Sequence, residues 1–230
     1  MTTPMRVLLI GASRGLGFAL AETMLQRGFQ VVATGRENST DNLQQLAQRY
    51  PQQLSVECVD INQPEQVKAL HTRLTDRQFE MLFVNAGVKN DDAETIADVS
   101  TEEFTRVMVT NALSPLRVIE TFKDQVTATG TIAVMSSGQG SLTNNTNGNY
   151  EVYRGSKAAL NMFMRSFAAR NAGQRTLLLM APGWVRTDMG GPEARLTIEE
   201  SIPNLLNTMQ AQAGKGGIHY LDYLGRVVPW

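Results

Sequence analysis

Two residues of this sequence, at helical spacing, could move a proton. Tyr153 and Lys157 stand four positions apart. On a helix they share one face, and an ammonium beside a phenol favours the phenolate. An unperturbed tyrosine, with a pKa of about 10, carries protons poorly near neutrality, whereas one lowered by a nearby cation can serve as acid or base. Tyr153 is then a candidate proton donor. Such a pair is more commonly a half-buried ring and a solvated amine, so it needs company before it counts as chemistry. Three hydroxyls stand upstream, Ser136, Ser137 and Ser141, in the turn-rich stretch SSGQGSLTNNTNGN; their ordinary role is hydrogen bonding within a loop. Tyr150 has no lysine four residues on and is placed at a substrate pocket instead.

A second group suits phosphate. Gly11-Ala-Ser13-Arg14-Gly15-Leu16-Gly17 follows an apolar run and opens a helical pattern. Glycines there allow a tight turn, and the unpaired N–H groups of a helix N-terminus attract a pyrophosphate. The spacing is G-x-x-x-G-x-G, unlike the G-x-G-x-x-G fingerprint, and by itself it would be an ordinary strand-to-helix turn.

These groups need elements to hold them. Apolar runs of strand length recur at Met5 to Ile10, Gln30 to Thr34, Leu54 to Val59, Met81 to Val84, Thr131 to Met135 and Thr176 to Met180, with helix-like segments between. Several are continuously apolar, as parallel strands covered on both faces are. The rhythm predicts a Rossmann-type, doubly wound parallel α/β sheet built as a single domain over 1–230. Leu16, Ala19, Leu20 and Met24 mark the buried face of a first helix ending near Gly28. Thr101 to beyond Leu116 reads as a helical segment containing Asn111, and Tyr150 to Ala169 as another. Thr197-x-x-Glu200 resembles a capping box. The Ser136 to Asn149 loop leaves the carboxyl end of a strand, where open α/β sheets bind ligands.

Composition narrows the partners. With 21 Lys and Arg against 22 Asp and Glu, the net charge of −1 provides no field of one sign for nucleic acid or anionic lipid. A small molecule is the expected partner. The apolar run near the N-terminus is too brief for a signal-peptide core or a membrane span, so a cytoplasmic location is expected. Cys58 reads as a small buried side chain on a strand, and His71 and His219 lack any paired ligand, so no metal is expected.

Taken in order, GASRGLG, Asp60 after the third strand, Asn85-Ala86-Gly87 after the fourth, Asn111, Ser137, Tyr153-x-x-x-Lys157, and Pro182-Gly183 with Thr187 resemble the short-chain dehydrogenase/reductase superfamily over nearly the whole chain. NGNYEVYRGSKAALNMF, PGWVRTDMGG and GRVVPW are similar to the branch holding sniffer-type carbonyl reductases and C-signal proteins. The resemblance implies an NADP(H)-dependent carbonyl reductase acting on a small carbonyl substrate. It selects Ser137, through Ser-x-x-Gly, to hold the substrate oxygen, gives Lys157 a contact to the nicotinamide ribose, and makes Asn111 part of a water-linked relay to Lys157. Asp60 and Ile61 would flank the adenine, Asn85 to Gly87 would pass along the cofactor, and Pro182, Gly183, Val185 and Thr187 would approach the nicotinamide end. It also implies a homodimer or homotetramer, joined through the helix carrying Ala158, Leu160, Met162 and Phe163, although all four could equally pack within one subunit.

Some positions depart from the family pattern. Ser137 and Tyr153 are 16 apart, about three more than usual, and Ile10 stands where a threonine is common. The second strand ends in Ala-Thr-Gly35-Arg36, with glycine at the position where an NAD-specific relative carries an acid. Arg36, joined by Arg14, would welcome a 2′-phosphate, although a solvated charge at a strand end is as common a use of such a residue. Leu142, Tyr150, Trp184 and Met189 are candidate substrate walls, or plain packing residues. The competing class is a non-catalytic dinucleotide-binding redox sensor or signalling protein, which would need the glycine loop but not Asn111, Ser137, Tyr153 and Lys157 together.

Overall fold

The structure is a computed structural model that describes residues 4–230. Strands β1 (Arg6–Ile10), β2 (Gln30–Gly35), β3 (Leu54–Cys58), β4 (Phe79–Val84), β5 (Val126–Met135), β6 (Thr176–Ala181) and β7 (Gly217–Asp222) form one sheet in the order β3-β2-β1-β4-β5-β6-β7. Every neighbouring pair is parallel. The connections carry helices α1 (Gly15–Gln26), α2 (Asp41–Arg49), α3 (Pro64–Arg73), α4 (Thr101–Met108), α5 (Ser114–Phe122), α6 (Glu151–Arg170) and α7 (Ile198–Gln212). This is the doubly wound architecture expected from the apolar runs.

Those runs are continuous because both faces of the sheet are covered. Leu8 and Ile10 of β1 join a core with Val67 and Leu70 of α3, Ile119 and Phe122 of α5, and Leu160, Met164 and Phe167 of α6. Val7 and Leu9, pointing the other way, join Leu20 and Met24 of α1, Leu43 and Leu46 of α2, and Leu205 and Met209 of α7. At the start of α7, Thr197 Oγ1 accepts from the Glu200 N–H at 3.2 Å, and Glu200 Oε2 accepts from the Thr197 N–H at 2.7 Å. The expected capping box is formed.

Four details add to or correct the expectation. Strand β7 escapes the period-2 reading because Gly214 and Gly216 precede it, Gly217 begins it and His219 interrupts its apolar pattern. Cys58 is exposed rather than buried, because it ends β3 at the sheet edge, where one side has no neighbouring strand. Leu160 lies in the core, leaving Met162 and Phe163 as the exposed apolar residues of α6. Between α4 and α5 the rod widens into a π-helical turn, Val109–Leu113, that contains Asn111. Such turns are rare and cluster at functional sites.

Candidate active site

The strand order reverses between β1 and β4, and the carboxyl ends of these two strands open into a cleft of about 900 Å³. Ligands bind at this switch point in open α/β sheets. The chain turns tightly there. Gly11 has φ +85°, and a Cβ on it would stand 2.9 Å from Ala86 Cβ, while Asn85 Nδ2 donates to the Gly11 carbonyl at 2.6 Å. Thr34 Oγ1 of β2 accepts from the Gly11 N–H at 3.1 Å, so a neighbouring strand supplies the hydroxyl that Ile10 lacks. Gly17 has a different duty from the one expected. A Cβ there would lie 2.1 Å from the Gly11 carbonyl oxygen, so Gly17 admits close packing under the loop and does not itself line the cleft.

Helix α1 starts on the cleft wall with no side-chain cap and no acid in its first turn. Gly15 and Leu16 line the cleft at this end, so the free N–H groups and the positive end of the helix dipole face a space suited to an anion. Arg14, Arg36, Arg106 and Arg226 also line it. Three of them are engaged: Arg14 with Asp188 at 3.0 Å, Arg106 with Glu103 at 2.6 Å, and Arg226 with Asp222 at 2.6 Å. Among the described residues, Arg36 makes no ion pair. Beside it, a Cβ on Gly35 would fall 3.0 Å from Thr40 Cγ2 and 3.2 Å from Ser13 Cβ. The turn is packed too closely for an acidic side chain without a shift. Asp60, Ile61, Asn85, Ala86, Gly87, Pro182, Gly183, Val185 and Thr187 complete the lining.

The candidate proton-handling residues meet on the floor. Tyr153 and Lys157 follow one another along α6, with Lys157 Nζ 5.8 Å from the centre of the Tyr153 ring. Nζ donates to the Met135 carbonyl at 2.9 Å, and the residue is only 3% exposed. Burial lowers its pKa to about 8. The expected lowering of Tyr153 is not what the structure gives: burial pushes it up to about 12, against a smaller opposing effect from a hydrogen bond with Ser137. Lys157 does not offset this, because an amine with a pKa of about 8 has lost its charge before such a phenol would ionise.

The three serines separate clearly. Ser136 Oγ is committed to Asn161 Oδ1 at 2.6 Å, and buried Ser141 Oγ accepts from the Asn144 N–H at 3.1 Å. Ser137 lines the cleft within hydrogen-bonding reach of Tyr153. Asn111 is fully buried, donating to the Val88 carbonyl at 2.7 Å and to Ser156 Oγ at 2.9 Å while accepting from the Val88 N–H at 2.8 Å. Its side chain is occupied in tying the π turn to the β4 loop and to α6. A water link from it to Lys157 would have to use its backbone.

At the open end, Tyr150, Trp184 and Met189 line the cleft, and Trp184 Nε1 donates to the Gly190 carbonyl at 2.7 Å. Leu142 does not line it. That residue points to solvent, 76% exposed, because the segment from Ser141 turns away to meet the Trp230 carbonyl, which accepts from Thr143 N–H at 3.3 Å and Thr143 Oγ1 at 3.0 Å. Tyr150 starts α6 at φ +61°, the one positive φ outside glycine among the described residues, a conformation that usually needs local support. Arg154 gives that support by donating to the Asn149 carbonyl at 2.6 Å and to Asn147 Oδ1 at 3.0 Å. His219 is bonded to the Gly216 carbonyl at 2.8 Å and His71 packs edge-on to Phe122. Two neighbours of Ser137 went unread in the sequence: Gln139, whose Oε1 is buried without a partner among the described residues, and Tyr220 of β7, whose hydroxyl donates to the Ser137 carbonyl. A tyrosine in an apolar run was the only signal for the second.

Comparison with known proteins places this geometry. The short chain dehydrogenase family profile matches residues 5–196. The chain belongs to the short-chain dehydrogenase family. Within it, the chain is 37% identical to C-signal of Myxococcus xanthus over 168 residues, 71% of this chain and all of that one. It superposes on a short-chain dehydrogenase/reductase of Burkholderia multivorans with bound NADP at a TM-score of 0.97 and 53% identity, covering 99% and 100% of the two chains. A carbonyl reductase of Pseudomonas aeruginosa in complex with NADP gives a TM-score of 0.91 at 36% identity, with 99% and 100% covered. These relatives lie in and around the branch that the motifs resembled. No helix among the described residues is long and apolar enough to cross a membrane.

Proposed function

We propose that this chain is an NADP(H)-dependent oxidoreductase that reduces a small carbonyl compound, with Tyr153 as the proton donor. One observation carries the reading. Ser137, Tyr153 and Lys157 converge on the floor of a cleft whose other end combines an uncapped helix N-terminus with Arg36, which has no ion-pair partner among the described residues. The residues fit the cofactor on their own terms: first-turn N–H groups of α1 for the pyrophosphate, Arg36 for a 2′-phosphate, Asp60 and Ile61 for the adenine, and the Asn85–Gly87 and Pro182–Thr187 segments for the nicotinamide half. The relatives of Burkholderia and Pseudomonas with bound NADP support the same choice.

The bound cofactor would supply the hydride; the chain supplies position and the proton. Ser137 donates its hydroxyl to the substrate oxygen and fixes that oxygen beside Tyr153. Tyr153, raised to about 12 by burial, holds its proton firmly at the phenol until an oxygen more basic than itself develops beside it. Lys157, with its pKa lowered to about 8, carries a proton near neutrality and can share it, and it stabilises the phenolate left behind. Asn111 holds the π turn against α6 and the loop after β4, keeping Lys157 and Gly87 in register. A Cβ on Gly87 would come 3.3 Å from Asn111 Oδ1 and 3.4 Å from Lys157 Nζ, so a side chain at this position would press on both.

NADPH consumption against a panel of aldehydes, ketones and quinones tests the reading. Wild-type protein should turn over at least one of them. Tyr153→Phe should lose turnover while keeping NADPH binding by fluorescence titration, and retained activity within tenfold of wild type would sink the assignment. The likeness to C-signal keeps a signalling role as the competing reading. NADPH binding with no turnover across the panel would favour it.

A further inference from the structure

Strand β7 places a buried tyrosine directly behind the serine turn. Tyr220 is 2% exposed, its ring tilted against Trp230 at 5.3 Å between centres, and its hydroxyl donates to the backbone carbonyl of Ser137. The same hydroxyl lies within reach of the Ser136 and Asn161 side chains. Asn161 of α6 ties the other end of the turn, with Nδ2 donating to the Gly140 carbonyl at 3.1 Å and Oδ1 accepting from Ser136 Oγ. The turn between them, Gly138–Gly140, sits hard on α6: a Cβ on Gly140 would be 2.8 Å from Asn161 Nδ2 and 3.0 Å from Lys157 Cβ.

We infer that Tyr220 and Asn161 are positioning residues, a polar strut from β7 through the serine turn to α6 that sets where the Ser137 hydroxyl stands relative to Tyr153. The Ser137 carbonyl has two donors, the Tyr220 hydroxyl and the Gly140 N–H at 2.9 Å, and Ser137 Oγ accepts from the Gln139 N–H at 3.2 Å. With its carbonyl and one lone pair fixed, the hydroxyl proton is left free to point into the cleft. Buried polar networks that are fully paired rigidify what they touch. A residue with two alternative resting places for its side chain would not hold a substrate oxygen within the few tenths of an ångström that proton transfer requires.

The inference rests on Ser137 being the donor to the substrate oxygen, and a double-mutant cycle keeps the two ideas apart. Tyr220→Phe retains the ring and its packing while deleting the donor. It should lower kcat about 10- to 100-fold, the cost of a displacement on the order of 1 Å, with the KM and dissociation constant for NADPH within about twofold of wild type. Placed on Ser137→Ala, the same change should cost less than about threefold, because the residue it positions is gone. Asn161→Ala, which loosens the turn from the opposite side, should show the same kcat-selective and Ser137-dependent loss, and so tests the strut even if one of the variants folds poorly. If Ser137→Ala is sensitive but Tyr220→Phe is silent, or if the two losses simply multiply, the strut is overturned and the active-site reading stands. A silent Ser137→Ala would instead overturn the role assigned to Ser137.

Discussion

Lys157 offers a test in which a buried charge reports on itself through protein stability. Its pKa is about 8 in the folded chain against an ordinary 10.5, the cause being burial. A difference of this size corresponds to about 3 kcal/mol between its charged and neutral forms, at about 1.36 kcal/mol for each factor of ten. The sign follows from proton counting. Between about pH 8 and 10.5 the unfolded chain holds a proton on this amine that the folded chain has released, so stability rises with pH across that window, and the gain is lost as pH falls through 8. Tyr153 acts in the opposite sense. Its folded pKa of about 12 lies above the ordinary 10.0, so its contribution is present below pH 10 and is lost as pH climbs toward 12, and the two windows barely overlap. Lys157→Met keeps the volume of the stem and removes the titration. It also leaves the Met135 carbonyl without its Nζ donor, so the absolute change in stability at one pH mixes two effects. The pH dependence does not. Urea unfolding of cofactor-free protein from pH 7 to 10.5 should show wild type gaining about 3 kcal/mol relative to Lys157→Met, with the steepest change between pH 8 and 10. A flat difference across this range would refute the claim that the amine is buried at a cost, and with it the argument that Lys157 is tuned for proton sharing.

Three further outcomes follow from the site. Ser137→Ala should lower kcat by about 100-fold, the scale of losing one donor to a developing oxyanion, and Ser136→Ala and Ser141→Ala should cost less; steady-state kinetics of the three variants decide it, and a most sensitive Ser141 would contradict the geometry of the turn. Arg36→Ala should raise the KM for NADPH about 10- to 100-fold while leaving that for NADH nearly unchanged, since a guanidinium–phosphate contact is charge-assisted and two-pronged. Arg14→Ala, whose partner Asp188 already occupies it, should add a smaller loss, and equal losses for both cofactors would show that the 2′-phosphate is not what the arginines read. Association through α6 should bury Met162 and Phe163, so Met162→Glu should convert a sedimenting dimer or tetramer to monomer; a wild-type monomer at micromolar concentration would remove that expectation.

The parts of this fold that were legible in the sequence are those with a period or a punctuation mark. Six strands stood out as apolar runs because burial on both faces demands continuous hydrophobicity, and α7 could be started at Thr197 because a capping box is a local device. Strand β7 was hidden because its role is set by a neighbour, β6, and its own pattern is interrupted by His219. The candidate site shows the same division. Tyr153 and Lys157 could be paired on spacing alone, but the direction of the tyrosine's pKa could not, since it depends on how much water the folded chain leaves around the phenol. Leu160 was left open between core and interface, and Leu142 was placed at a cleft wall or in packing when it faces solvent, because a hydrophobic residue gives no sign of whether it faces a cleft, a core or solvent. Tyr220 acts across 83 positions of chain on Ser137, a relation that only the assembled sheet brings about.

The crowding at Gly35 reaches beyond binding into descent. A lineage that came to favour the unphosphorylated cofactor would need a carboxylate at the end of β2, yet the first carbon of that side chain would stand 3.0 Å from Thr40 Cγ2 and 3.2 Å from Ser13 Cβ. The step from glycine to aspartate is therefore poor as a first move: it disturbs the turn before the new acid can grip a ribose. Losing Arg36 alone would be equally unrewarding under the proposed contact to the 2′-phosphate, since it would weaken one ligand without gaining the other. The turn has to give by a few tenths of an ångström first, against Thr40 Cγ2, Ser13 Cβ and the Ser39 backbone oxygen at 3.2 Å. The tight turn after β2 thus weighs on the cofactor choice open to this lineage, and an engineer seeking the switch would give the turn around Gly35 room to shift as well as altering the charge.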